Sequence, residues 1–223
     1  MIKRWFVTGT DTEVGKTIAS SALLQAANLA GYRSAGYKPV ASGSEMTPQG
    51  LRNEDALALQ RHSGVALSYE DVNPYTFAEP TSPHIVSADL RQPIEFTVMS
   101  SGLRRLEQRA DWLLVEGAGG WFTPLSPTQS FADWVVGEQL PVILVVGMKL
   151  GCINHARLSA RAIQEDGARL VGWIANEVDP VMARRDENFA LLSARMPVPC
   201  WGRLPHAPDI DAGQLRRHIS IPL

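Results

Sequence analysis

Residues 9–17, GTDTEVGKT, carry the side chains best suited to chemistry in this sequence. A phosphate-binding loop needs glycine where the backbone approaches the phosphates, free backbone amides, a lysine for the β and γ oxygens and a hydroxyl for magnesium. Gly15, Lys16 and Thr17 match the second half of the pattern G-x-x-x-x-G-K-[ST], whereas Gly9 lies one residue earlier than the pattern's first glycine. The segment therefore predicts a nucleotide-phosphate site. The less favoured interpretation is a turn whose glycines serve only the turn.

Three charged residues elsewhere have types and positions that suit the same chemistry. Lys38 and Glu116 close apolar segments, and Asp55 lies in the first turn of a helical segment. Two carboxylates and the Thr17 hydroxyl are the hard oxygen ligands that Mg²⁺ prefers. Each charge also has an ordinary alternative, because a lysine at a strand end is often solvated and an acid in a first helical turn stabilises the helix dipole.

Glycines follow Glu116 directly, in the sequence GAGG at 117–120. We expect them to form a flexible turn whose amides approach an anion or a reacting group. A dinucleotide-binding alternative is weaker, because G-x-G-x-x-G would need glycine at Phe122 and an acidic ribose ligand after the first strand.

The elements that position these residues follow from the hydrophobic pattern. Short apolar runs that alternate with segments of helical period predict an α/β fold, a three-layer, open, mostly parallel β-sheet flanked by helices and like that of P-loop NTPases. The predicted strands are 4–8, 35–39, 112–116, 142–146 and 171–175, with a weaker one at 200–204. The predicted helices are 16–30, 53–62, 95–109 and 154–166. Residues 69–93, which hold four prolines, are expected to be irregular, and residues 124–127 to form a loop. Ligands in such folds bind at the carboxyl ends of the strands, where the predicted site residues lie.

Composition limits the class of protein. The chain has 223 residues, a net charge of −2, 45% hydrophobic and 20% charged residues, which indicates one globular domain over 1–223 and not a disordered chain. The near-neutral charge argues against a nucleic-acid partner. Cys152 and Cys200 have no metal-ligand or disulfide spacing, which fits a reducing compartment. The apolar run 140–147 is far shorter than the roughly 20 residues that cross a bilayer, and the N-terminus lacks a signal sequence, so we expect a cytoplasmic protein without a membrane partner.

Several motifs together resemble those of the dethiobiotin synthetases. They are GTDTEVGKT (9–17), AGYKPVASGS (35–44), LRNEDALAL (51–59), NPYTF (73–77), EPTSPH (79–84), VEGAGGW (115–121) and LGCINHA (150–156). The resemblance covers residues 1 to about 180. It implies an ATP- and Mg²⁺-dependent ligase that closes a ureido ring on 7,8-diaminononanoate with CO2, giving dethiobiotin, ADP and phosphate through a carbamate and a carbamic-phosphoric anhydride.

The resemblance also implies a role for each matching position. Lys38 and Lys16 would be catalytic, and Thr17, Asp55 and Glu116 would hold the metal. The implied ATP-binding residues are Glu13, Val14, Gly15, Lys16, Thr17, Ile18, Asp55, Glu116, Gly117, Ala118, Gly119, Asn176, Glu177, Pro205, His206 and Ala207, with Asn176 and the loop from Pro205 to Ala207 at the adenine. The implied substrate-binding residues are Thr12, Ser42, Gly119, Gly151, Cys152 and Asn154. The last three would come from the neighbouring subunit of a homodimer and bind the substrate's carboxylate.

A rival hypothesis is a nucleotide switch of the ParA or MinD type, which shares the sheet, the loop and dimerisation. Those proteins carry an additional lysine five positions before the loop lysine, where this sequence has Asp11, and a basic or amphipathic membrane-binding tail, which this sequence lacks. An inactive structural relative is the third hypothesis. The presence of Lys16, Thr17, Asp55 and Glu116 argues against it.

Overall fold

The computed structural model describes residues 2–206 and 212–221. Within those residues the chain forms ten strands, eight α-helices and one 3-10 helix. In chain order they are β1 (Lys3–Gly9), α1 (Lys16–Leu29), β2 (Ser34–Tyr37), β3 (Val40–Ala41), β4 (Glu45–Thr47), β5 (Gly50–Arg52), α2 (Glu54–His62), α3 (Tyr69–Val72), β6 (Tyr75–Thr76), α4 (Pro83–Asp89), α5 (Phe96–Glu107), β7 (Trp112–Gly120), α6 (Phe131–Gly137), β8 (Val142–Gly147), α7 (Cys152–Glu165), β9 (Leu170–Asn176), α8 (Arg185–Arg195), β10 (Cys200–Leu204) and the 3-10 helix Ala212–His218.

Six strands form the central sheet, in the order β10-β9-β8-β1-β7-β2. Every neighbouring pair in it is parallel, and the six strands lie where the apolar runs predict them. All carboxyl ends therefore meet at one edge of the sheet. The chain passes from β1 to β2, which lies on one side of β1 in the sheet, and later from β7 to β8, which lies on the other side. Ligands in such sheets bind where the direction of the strand order changes, so the crevice for a ligand opens at the end of β1.

Alternating side chains of the buried strands pack into two separate apolar layers. In β8, Val142, Leu144 and Val146 belong to one layer, whereas Ile143 and Val145 belong to the other. The first layer is completed by α5, α6, α7 and α8, and the second by α1, α2 and the 3-10 helix. Burial on both faces explains why these strands are apolar throughout, and the three-layer prediction is confirmed.

Some boundaries differ from the sequence-based expectation. β2 ends at Tyr37, so Lys38 follows the strand instead of lying inside it. The prediction of a turn at 117–120 is wrong, because β7 continues to Gly120, which pairs with Gly9 of β1. These glycines allow close packing: a Cβ on Gly117 would lie 2.7 Å from the Phe6 ring.

Helices also occur in segments for which the sequence did not predict them. The prolines at 69–93 predict an irregular segment, yet α3, β6 and α4 lie there, since Pro83 occupies the first turn of α4, where a proline is compatible with a helix. Ser130 and Asp133 form a capping box that starts α6. Helix α7 begins at Cys152, two residues before its predicted start. No helix within residues 2–206 or 212–221 combines the length and apolar character needed to span a bilayer.

Replacement of Gly172 in β9 tests how tightly the second layer packs. A Cβ at this position would lie 2.2 Å from Nε1 of Trp201, so we expect Gly172→Ala to lower the free energy of unfolding by about 1–3 kcal/mol. Gly137→Ala is the matched control: its Cβ would meet no atom within 4 Å, and alanine favours the helix by up to about 1 kcal/mol. Urea unfolding of both variants measures the difference, and equal midpoints would contradict this account of the packing.

Candidate active site

The loop between β1 and α1 has the shape of a phosphate-binding loop. Gly15, which precedes α1, has a φ of 79°, and a Cβ there would lie 2.0 Å from Nδ2 of Asn176. That Nδ2 donates a hydrogen bond to the Val14 carbonyl at 2.9 Å. No side chain caps the start of α1, so its first-turn amides face the loop with their donors free for an anion.

Lys16 is buried beside this loop. Its Nζ donates to the Asp11 carbonyl at 3.1 Å, and only 7% of the residue is exposed. Burial, reinforced by the nearby charge of Lys38, lowers the pKa of Lys16 to about 8, although Glu116, Asp55 and Asp11 partly offset this. An anion in the loop would raise this pKa again and favour the ammonium form further.

Lys38 lies between two carboxylates. Its Nζ is 2.7 Å from Oε1 of Glu116 and 2.8 Å from Oδ2 of Asp55, and a longer contact of 3.4 Å reaches the Gly117 carbonyl. Burial opposes the charged form, but the two carboxylates outweigh it and raise the pKa of Lys38 to about 12. For Asp55 the balance is similar: burial opposes ionisation, and Lys38, with the Thr17 hydroxyl, lowers the pKa of its carboxyl. The lysine is therefore charged at neutral pH.

The same carboxylates converge on Thr17. Its Oγ1 lies 2.6 Å from Oδ1 of Asp55 and 2.8 Å from Oε1 of Glu116, although a hydroxyl has one proton to donate. Oε2 of Glu116 is buried and has no hydrogen-bond partner among the described residues. This set of hard oxygens with one unsatisfied buried carboxylate oxygen fits Mg²⁺. Elsewhere in residues 2–206 and 212–221, no three His, Cys, Asp or Glu side chains converge as metal ligands do.

Two adjoining cavities hold most of the predicted site residues. The first, of about 370 Å³, is lined by Thr12, Glu13, Gly15, Lys16, Thr17, Ile18, Lys38, Ser42, Asp55, Ala118 and Gly119. The second, of about 280 Å³, shares three of these residues and is completed by Asn176, Glu177, Val178, Pro205, His206 and Leu215. A larger groove of about 560 Å³ beside Phe122 and residues 126–130 contains none of the predicted site residues.

Of the predicted residues that the structure describes, six line neither cavity: Val14, Glu116 and Gly117, which lie beside the loop and Lys38, and the three residues at the start of α7. Gly151 caps the start of α7 with a φ of 94°, Cys152 is buried and Asn154 is exposed; none of the three lines either cavity. The Glu177 carboxylate is engaged by Arg185 and Arg203, at 2.7 Å each. Ala207 is outside the described residues.

Sequence reasoning missed two contacts at the loop. The Asp11 carbonyl holds the Lys16 ammonium, and the Asp11 carboxylate is 3.3 Å from Nζ of Lys149. A backbone acceptor leaves no signal in the sequence. The only indication of Lys149 in the sequence is its position directly before the motif LGCINHA.

Similarity to known proteins agrees with this geometry. A family model described as "AAA domain" matches residues 3–214. The Escherichia coli K12 protein named ATP-dependent dethiobiotin synthetase BioD 1 is 69% identical, over 100% of both chains. The Serratia marcescens protein named ATP-dependent dethiobiotin synthetase BioD is 66% identical, over 100% of this chain and 99% of that relative.

Solved structures with the same fold are much more distant in sequence. The MinD protein of Pyrococcus horikoshii, complexed with Mg-ADP, superposes with a TM-score of 0.58 at 16% identity and covers 99% of this chain and 87% of its own. The MinC:MinD complex of Aquifex aeolicus gives 0.59 at 14%, covering 97% and 86%. These similarities show the fold alone, so the only support for the nucleotide-switch hypothesis is a structural resemblance. The full-length identities to the curated relatives, together with the converging site, show that this chain belongs to the family of ATP-dependent dethiobiotin synthetases.

Proposed function

We propose that the protein is an ATP-dependent ligase that carboxylates 7,8-diaminononanoate with CO2 and closes the ureido ring, producing dethiobiotin, ADP and phosphate. The observation that carries this proposal is the convergence on one cavity of two lysines, a threonine hydroxyl and the Asp55 carboxylate, with the buried Glu116 behind them in contact with Lys38 and Thr17, in a chain of this family. Such an arrangement suits a reaction in which a phosphoryl group moves and charge must be neutralised.

Magnesium fits the oxygens that this chain provides. Thr17, Asp55 and Glu116 would hold the ion, and when bound it would supply positive charge to the phosphates of ATP. The unsatisfied Oε2 of Glu116 supports this assignment. A second positive centre, Lys38, contacts the same carboxylates and offsets part of their charge in the absence of an ion.

Three chemical steps follow from this assignment. One amine of the substrate attacks CO2 and loses a proton, which gives a carbamate. A carbamate oxygen then attacks the γ-phosphorus and ADP departs, leaving a carbamic-phosphoric anhydride. The second amine attacks the anhydride carbonyl, expels phosphate, loses a proton and closes the five-membered ring.

The protein's contribution to these steps is position and charge. Lys16 binds the β- and γ-phosphate oxygens, and Lys38 neutralises charge between the carbamate and the γ-phosphoryl group. Thr12 and Ser42 line the same cavity and are proposed to contact the diamine and its carbamate. From the segment 117–120, Ala118 and Gly119 line the same cavity, and backbone amides of this segment are proposed to face the substrate.

The second cavity is the proposed site of the adenine. Asn176 lies at the end of β9, beside Gly15, and Pro205 and His206 line the same cavity. Ala207 belongs to this proposal through the family resemblance alone. The Glu177 side chain is engaged by two arginines, so we propose that it supports the wall of the cavity and leaves base recognition to Asn176 and to backbone groups.

A homodimer would supply the missing part of the substrate site. Gly151, Cys152 and Asn154 at the start of α7 are proposed to bind the substrate's carboxylate in the neighbouring subunit. The helix start offers the positive end of a dipole, although the Cys152 amide already donates to the Lys149 carbonyl at 3.0 Å. Leu150 beside it is 92% exposed, as suits a residue covered by a partner. A compartment that supplies ATP, such as the cytoplasm, fits this reaction.

Release of ADP by the purified protein distinguishes this function from a nucleotide switch. We expect rapid release only when 7,8-diaminononanoate and bicarbonate are both present, because the phosphoryl acceptor forms from the two together. Each is also added alone, as a control. Release that does not depend on the diamine would favour the switch and contradict the proposed reaction.

Replacement of the two lysines separates their roles. Lys38→Leu should lower kcat by about 100-fold or more while the Kd of ATP changes by less than about threefold, because Lys38 acts on the charge that develops during transfer. Lys16→Ala should weaken ATP binding by about tenfold or more and also lower kcat, since Lys16 holds the phosphates before and during transfer.

The Lys38 variant needs a control for folding. Removal of this lysine leaves Glu116 buried without its counter-charge, which we expect to cost about 3–5 kcal/mol of stability. Retained ATP binding, measured by titration calorimetry, therefore serves as the check that the variant is folded under assay conditions. Normal turnover in Lys38→Leu would refute its catalytic role.

A further inference from the structure

The motif NPYTF, at 73–77, has no role in the proposed reaction, yet its first residue lies beside the site. Asn73 is 3% exposed, and all of its side-chain hydrogen-bonding capacity is used. Its Nδ2 donates to the Lys38 carbonyl at 2.6 Å and to the Tyr75 carbonyl at 3.0 Å. Its Oδ1 accepts from the hydroxyls of Tyr69 and Thr76, both at 2.8 Å.

Tyr69 connects Asn73 to a second buried asparagine, Asn53. The Tyr69 hydroxyl accepts the Asn53 backbone N–H at 2.8 Å while it donates to Asn73. The Asn53 side chain caps α2 by accepting from the backbone N–H of Ala56 at 3.2 Å, and its Nδ2 donates to the Ser42 carbonyl at 3.3 Å. Asn53 and Tyr69 are each 6% exposed. The three residues therefore form a continuous buried chain of hydrogen bonds, in which Asn53 is joined to Tyr69 through its backbone N–H.

This network joins the start of α2 to two segments, 38–42 and 72–77, that are already paired with each other through β3 and β6. Asn73 holds the backbone of Lys38, and Asn53 holds the backbone of Ser42 and the start of the helix that carries Asp55. A buried polar network in which every member has its partners is rigid. The loss of the Tyr69 hydroxyl leaves the buried N–H of Asn53 unpaired and removes one of the two hydrogen bonds that Oδ1 of Asn73 accepts.

We propose that Tyr69, acting through Asn53 and Asn73, is a positioning residue that holds Lys38, Ser42 and Asp55 in the relative arrangement that ring closure requires. The proposal rests on the proposed function for its catalytic consequence. None of the three network side chains lines the cavity that holds the reacting groups, so their contribution is through the backbone that they hold.

Tyr69→Phe tests the proposal with little change in packing. The ring stays, including its contact with the Arg52 guanidinium 4.1 Å from the ring centroid, and only the hydroxyl is lost. Tyr75→Phe is the matched control. Tyr75 is also 6% exposed, and its hydroxyl likewise accepts the backbone N–H of a residue that precedes a helix, Glu95, at 3.0 Å. Tyr69→Phe removes the two hydrogen bonds of its hydroxyl, and Tyr75→Phe removes the bond to Glu95. Tyr75 contacts Asn73 only through its backbone carbonyl, which Tyr75→Phe keeps, so of the two hydroxyls that of Tyr69 alone is joined to the network.

We expect Tyr69→Phe to lower kcat by about tenfold with the KM for ATP within about twofold, because small displacements of reacting groups are costly. Tyr75→Phe should keep kcat within about twofold. Hydrogen–deuterium exchange of peptides spanning residues 38–56, measured without substrates, should be faster in Tyr69→Phe than in wild type and unchanged in Tyr75→Phe.

The proposal would be overturned if Tyr69→Phe and Tyr75→Phe had the same kcat, or the same hydrogen–deuterium exchange over residues 38–56. A decrease of kcat in both variants in proportion to their loss of stability would also overturn it, since the effect would then be general. Failure of the proposed function appears in the wild type alone, as absence of diamine-dependent ADP release. In that event the exchange comparison still decides whether Tyr69 holds the three segments together.

Discussion

A lysine ammonium enclosed by two carboxylates is the constraint on which the rest of the site depends. Lys38 is 3% exposed and Glu116 is fully buried, so either charge alone would be very unfavourable there. The parallel pairing of β2 with β7 brings them together: Tyr37 lies opposite Val115, and the next residue on each strand is the charged one. Asp55, on a separate helix, supplies the second carboxylate that contacts the ammonium. The register of the sheet therefore determines whether the buried charges of Lys38 and Glu116 meet and stabilise each other.

The sequence predicts the strands of the sheet and the phosphate loop well because the patterns that indicate them are local. Apolar runs identify all six strands of the central sheet, and GKT ahead of an alanine- and leucine-rich segment identifies the loop and α1. Lys38, Asp55 and Glu116 are predictable together because parallel strands deliver their ends to one edge. Their direct contacts, at 2.7–2.8 Å, follow from the strand order, which periodicity alone does not determine.

The features that the sequence did not predict have non-local causes. Glycines at 117–120 resemble a turn, but pairing with β1 and the crowded Phe6 ring make them the end of a strand. The contact of Lys16 with the Asp11 carbonyl is made by a backbone atom. The buried chain of hydrogen bonds from Asn53 to Asn73 joins residues 20 positions apart. Only the tertiary structure brings these groups within hydrogen-bonding distance, so a single sequence cannot reveal them.

The crowding around the site's glycines limits how the enzyme could acquire a different substrate range. A side chain at Gly15 would meet Asn176, one at Gly117 would meet Phe6, and one at Gly119 would lie 2.4 Å from the Thr123 hydroxyl. These walls cannot be reshaped one residue at a time without displacing the fold behind them. Adaptation to a longer or bulkier acceptor would therefore proceed through lining residues other than glycine, such as Thr12 and Ser42.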